Sequence, residues 1–237
     1  MTREPNDPAR SGSPLPEAER LFLSRYEVEA LSAKAARGAG MGWGLAEEAG
    51  IAVGWLQGRG IDALAALLGH LDRVDGRPWG AVAPVIGKGI WHPAGSEALC
   101  PIALGATLSD HRDLPEARLN DGALTLGPVG YPILLLPFVA DIARHRNAPL
   151  SVIWDGGALE IDGDGLPTGP VDPLARLTVA VLRLRMASVA AGRAVMAPPS
   201  MCDRQTLARL DEFALRTTVP ASARSRADAG AGTGDND

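Results

Sequence analysis

Leu150-Ser-Val-Ile-Trp-Asp-Gly-Gly-Ala-Leu-Glu-Ile161 decides the fold class. Two runs rich in apolar residues, Leu150 to Trp154 and Ala158 to Ile161, flank Asp155-Gly156-Gly157. Glycine takes the positive φ that tight hairpin turns demand, so the stretch predicts a β-hairpin. Beyond it, Leu177, Val179 and Val181 alternate with Thr178 and Ala180, which predicts a strand over 175–185. Upstream, 99–107 and 122–126 read as further strands, and 137–146 as a helix between strands. The stretch from Gly76 to Gly95, rich in Gly, Pro and Trp, reads as an irregular connection.

Helical patterns occupy both ends. Ser24 followed by Glu27 matches a capping box. Val28, Leu31 and Ala35 then share one face, and Gly38-Ala39-Gly40 stops the helix. A second helix is expected from Trp43 to Gln57, with Ala46, Gly50, Gly54 and Gly58 on a small-residue face. Glycine costs about 1 kcal/mol against alanine in a helix, so such a face implies close packing. A third helix follows from Asp62 to about Asp72. The last opens at Asp203 as N-cap and ends near Thr217. Helices at the ends and strands in the middle specify an α+β fold: an N-terminal three-helix bundle, a central, mostly antiparallel sheet, a C-terminal helix and a Gly-rich tail. Residues 1–22, with Pro5, Pro8, Pro14 and Pro16, read as a disordered extension ahead of one domain over 23–237.

Composition bounds the function. Of the 237 residues 46% are hydrophobic, enough for a core, and only 4% are aromatic, so Ala, Leu and Val must build it. The net charge is −5, with no basic stripe, which argues against a nucleic-acid partner. The two cysteines, Cys100 and Cys202, make neither a disulfide framework nor a metal spacing. No signal-peptide pattern begins the chain, and the most apolar run, 131–143, is broken by Pro132 and Pro137 and falls short of the ~20 residues that span a bilayer. A cytoplasmic protein without membrane contact is the expectation.

Motifs for known chemistry are sparse. Asp110-His111-Arg112-Asp113-Leu114 echoes the His-Arg-Asp of protein kinases, but Asn120 is displaced and the accompanying motifs are missing. A charged turn accounts for it, with His111 kept as an acid or base candidate. Glu160, Asp162, Asp164 and Gly165 begin like a calcium loop, but Val171 stands where a glutamate is required. No metal site is expected and no cofactor is indicated. Glu47 and Glu48 lie in the first turns of the second helix, where carboxylates complement the helix dipole. In a groove beside Trp43, a buried one would become a general acid or base.

The tail after Thr217 joins Ser222, Arg226, Gly230, Gly232 and Asp235-Asn236-Asp237. Arginines bind carboxylates or phosphates, a glycine run brings backbone close to a ligand, and carboxylates bind amines or cations. A floppy, soluble end would have a similar composition.

Two segments carry a family resemblance. Lys34-Ala-Ala-Arg-Gly-Ala-Gly40 with Trp43-Gly-Leu-Ala-Glu-Glu-Ala-Gly50, and Val219-Pro-Ala-Ser222, Ser225-Arg226 and Gly230-Ala-Gly232 through Asp237, resemble the opening and closing signatures of the proteobacterial domain-of-unknown-function 3726 family. The chain departs from that pattern at Thr218, where an aromatic is usual, at Ala223, near which a Glu is usual, and in its N-terminal extension. The resemblance implies that the tail belongs to the domain, and it brings no established activity.

The expected function is a small-molecule metabolic enzyme, or a subunit of one, acting on a polar, carboxylate-bearing metabolite. Trp43, Ser222, Arg226, Gly230, Gly232, Asp235, Asn236 and Asp237 would bind substrate, and Glu47, Glu48 or His111 would move protons. The alternative is a non-catalytic assembly protein that docks a partner subunit through its tail, with the small-residue face of the second helix as a homo-oligomer interface.

Overall fold

A computed structural model describes residues 20–117, 119, 122–187 and 201–218. The hairpin forms as expected: β5 (Leu150–Trp154) pairs antiparallel with β6 (Gly157–Ile161) around Gly156, whose φ is 86°. Four more strands complete its sheet: β2 (Pro84–Ile86), β3 (Ile90–Pro93), β4 (Leu124–Gly130) and β7 (Val179–Met186). The order is β2-β3-β4-β7-β5-β6, antiparallel throughout except for the parallel β3–β4 pair. In β7, Leu182 and Leu184 are buried while Val181, Arg183 and Arg185 are exposed, so this strand buries one face only.

Two readings of the sequence are corrected. The stretch read as irregular contributes β2 and β3, a hairpin turned at Gly89 with φ 74°. Pro84 and Pro93 open and close its strands, where prolines do least harm to a ladder. The stretch 99–107 is no strand but the start of α4 (Pro101–His111), capped by the Cys100 sulfur, which accepts from the Ala103 N–H at 3.5 Å. Pro101 at its first position is a helix-start signal, since proline's missing N–H costs nothing there. Ile102, Ala103, Leu104 and Gly105 are all buried, so a run apolar on every side hides the helical period.

The expected terminal helices are present. α1 (Arg25–Gly38) has its capping box, with Glu27 Oε2 accepting from the Ser24 N–H at 2.8 Å and Ser24 Oγ from the Glu27 N–H at 3.3 Å. The Ser24 hydrogen bonds hold the Glu27 carboxyl below its ordinary range. Gly40, at φ 98°, follows the helix end. α2 (Trp43–Gln57) and α3 (Ala63–Val74) complete the N-terminal bundle. α5 (Leu136–Arg146) ends on Asn147, a left-handed cap at φ 47°. A single turn, α6 (Asp172–Ala175), precedes β7. α7 (Arg204–Leu215) opens on Asp203, whose carboxylate accepts from the Thr206 N–H at 2.9 Å. Just before it, β8 (Cys202–Asp203) pairs antiparallel with β1 (Arg20–Leu21), inside the stretch read as an extension.

α1 is the hub of the helical layer, packed by α2 on one side and α7 on the other. Glycine makes both contacts close. A β-carbon on Gly50 would lie 2.6 Å from the Glu29 carbonyl oxygen, and one on Gly38 would lie 1.7 Å from that of Phe213. The small-residue face of α2 thus meets α1 of the same chain at Gly50 and Gly54. Deeper in the core, His70 Nε2 lies 3.3 Å from Cys100 Sγ, joining α3 to the cap of α4. Both are fully buried, and burial lowers the His70 pKa to about 3 and raises that of the Cys100 thiol to about 11. The pair is neutral at physiological pH. Among the described residues no helix is long and apolar enough to cross a membrane.

Candidate functional site

α2, α4 and α5 enclose a cleft of about 380 Å³. From α2 come Glu48, Ile51, Ala52 and Trp55, the i, i+3, i+4, i+7 spacing that lines one helix face. α4 contributes Ala106, Ser109 and Asp110, and Arg112 follows its last turn. α5 adds Pro137, Phe138, Asp141 and Arg144. Gly105 lets α4 approach α5, since a β-carbon there would stand 2.2 Å from the Phe138 ring.

The charges are ordered. Asp141 accepts from Arg144 Nη2 at 2.5 Å and from Arg112 Nη1 at 3.5 Å, joining the two arginines at one rim. Arg146 reaches back to the Arg112 and Ala117 carbonyl oxygens and steadies the turn that carries Arg112. Glu48 enters from α2. Burial, and then the negative charges of Asp110, Asp141 and Glu47, hold its carboxyl above the ordinary range. Each guanidinium presents five N–H donors, and Asp141 occupies only one or two of each, so donors remain for an anionic ligand.

The sequence-derived candidates do not converge here. Of Glu47, Glu48 and His111, only Glu48 lines this cleft. Glu47 lies a third of a turn away on α2, in a separate groove beside Trp43. The two properties expected of a single carboxylate, a place by Trp43 and a raised pKa, are divided between neighbours. His111 is tied down: its Nδ1 lies 2.9 Å from the Thr107 carbonyl oxygen and its ring meets Trp91 edge-on at 5.6 Å. Ser222, Arg226, Gly230, Gly232, Asp235, Asn236 and Asp237 lie outside the described residues. Among the described residues, no group of three or more His, Cys, Asp and Glu could hold a metal ion.

Asp110, Arg112, Trp55, Asp141 and Arg144 were not anticipated as site residues. Some signals existed. Trp55 lies seven residues after Glu48, on the same helix face, and Asp141 and Arg144 are three apart on α5. Asp110 and Arg112 sit inside the motif read as a charged turn.

Residues 23–96 match the family model described as "Protein of unknown function (DUF3726)". The match covers the opening signature and the helices α1 to α3, and the closing signature lies beyond it. No curated protein and no solved structure matches the chain.

Proposed function

We propose that the protein is a small-molecule enzyme, or a subunit of one, that transfers a proton to or from a polar, carboxylate-bearing metabolite in the cleft between α2, α4 and α5. The observation that carries this reading is Glu48. Burial, and then the carboxylates of Asp110, Asp141 and Glu47, hold its carboxyl above the ordinary range, and these are the means by which proteins tune a general acid or base. The cleft volume, about 380 Å³, falls within the ~300–1,000 Å³ of small-molecule pockets. Ile51, Trp55 and Phe138 offer an apolar wall to the body of a substrate. Arg112 and Arg144 offer forked donors to its carboxylate. A cytoplasmic setting accords with Cys100 and Cys202, both free thiols. Substrate contacts from Ser222, Arg226, Gly230, Gly232 and Asp235 to Asp237 remain part of the proposal, tested by deleting 228–237.

The assembly-protein reading has less support, because Gly50 and Gly54, on the face it needed on α2, meet α1 instead. A thermal-shift screen of carboxylic acid metabolites separates the two. Stabilisation of the wild type that is lost in Arg144→Ala, with binding kept but turnover lost in Glu48→Gln, is the expected result. Binding indifferent to Arg112, Arg144 and Glu48, or no binding by any acid in the screen, overturns it.

A further inference from the structure

Trp43 is 68% exposed at the start of α2, with the Arg37 guanidinium 5.1 Å from its ring centre. It walls a groove of about 220 Å³ whose floor is the methyl groups of Ala30, Ala33 and Ala46. The groove is smaller than the ~300 Å³ at which metabolite pockets begin, and its floor offers only methyl groups to pair with a polar ligand. It suits a short apolar peptide segment. Thr217, just past the end of α7, also lines it.

We infer that this groove is the docking site of the chain's own C-terminal segment, with Val219-Pro220-Ala221 seated against Trp43. Thr217 and Thr218 are fixed by hydrogen bonds from their hydroxyls to the Ala214 and Leu215 carbonyl oxygens, both 2.7 Å, which sets where the chain departs. A residue spans at most ~3.6 Å of extended chain, so Val219 lies within about two residues' reach of the groove edge. A proline biases the residue before it towards extended backbone, and Pro220 follows Val219 in the sequence. An extended Pro-containing segment against an aromatic wall is a recurrent mode of peptide recognition, and one of low entropic cost. The charges are complementary as well. Arg224 suits Glu47, and Asp228 suits Lys34 and Arg37. The inference is independent of the Glu48 cleft, which lies on another face of α2.

Acrylamide quenching of tryptophan fluorescence in the full-length protein tests it. The Trp43 contribution is the difference between the wild type and Trp43→Phe. Replacing Val219→Asp and Pro220→Gly together should raise the quenching constant of that contribution by about twofold, because removing packed cover returns an aromatic ring to water. Far-UV circular dichroism should not change, as both positions lie beyond α7. An unchanged quenching constant overturns the inference. So does a protection of Trp43 that fades on dilution while sedimentation shows a dimer dissociating, since the occupant would then be a second copy.

Discussion

Gly38, the last residue of α1, lies against the carbonyl of Phe213 in α7, so close that a β-carbon would stand 1.7 Å from the oxygen. The neighbour is helix backbone and cannot swing aside. The contact carries the junction between the first and last helices, supported from α3 by Arg216 on Asp75 at 2.6 Å and Arg209 on Asp72 at 3.1 Å. Exposed pairs of this kind are screened by solvent and contribute little, so the close packing at Gly38 dominates. Gly38→Ala is expected to cost about 3 kcal/mol, at the upper end for overpacking. Urea unfolding measures it. A loss below 1 kcal/mol would mean that α7 can slide on α1.

Gly50 and Gly54 look alike in the sequence and differ in what they touch. A β-carbon on Gly50 meets the Glu29 backbone, whereas one on Gly54 meets the Glu29 side chain at 2.5 Å. That side chain can move, at the expense of its 2.6 Å exposed pair with Arg25. Such a pair is worth ~0.3–0.5 kcal/mol, less than the ~1 kcal/mol by which alanine outranks glycine in a helix. Gly54→Ala should therefore be neutral or slightly stabilising, and Gly50→Ala should lose about 1–3 kcal/mol. Leucine at Gly50 should be worse still. Equal melting temperatures for the two alanine variants would contradict the distinction.

What the sequence reveals here depends on whether a residue's role is local. The Ser24–Glu27 box, the boundaries of α2, the Asp203 cap and the hairpin at Gly156 rest on neighbours in the chain, and all four are present. The β2–β3 hairpin was obscured by its prolines, and α4 by burial on all sides. The cleft is assembled from residues almost a hundred positions apart. Glu48 was legible as a candidate because a helix start is a local signal. Asp110 and Asp141, which help to raise its pKa, become its neighbours only when α4 and α5 pack beside α2.

His70 makes the protein acid-sensitive. It is buried and neutral, with its pKa lowered to about 3 from 6.5. Between those values the unfolded chain binds a proton that the native state refuses. The stability is therefore complete above pH 6.5 and is lost as pH falls through this window, by up to about 1.4 kcal/mol per pH unit. His70→Leu should flatten the pH dependence of urea midpoints in this range, although it removes the partner of Cys100. A variant with the same slope as the wild type would place the acid sensitivity elsewhere.

Glu48 has the opposite dependence. Its folded-state pKa is raised, so its contribution to stability is complete below the ordinary carboxylate range and is lost as pH rises through the folded value. Glutamine resembles the protonated acid and removes that loss. Glu48→Gln should match the wild type in acid and melt higher at neutral pH, the reverse of what losing a structural ion pair would do. Burial is the larger cause of the shift and Asp110 the second. Asp110→Asn should therefore lower the Glu48 pKa by the smaller part and leave it above the ordinary range. Carbon-detected NMR titration of the Glu48 carboxyl measures both. A Glu48 that titrates with unburied glutamates, or one that returns fully to their range in Asp110→Asn, would show that the cleft does not shield it from water and would remove the basis for its role in proton transfer.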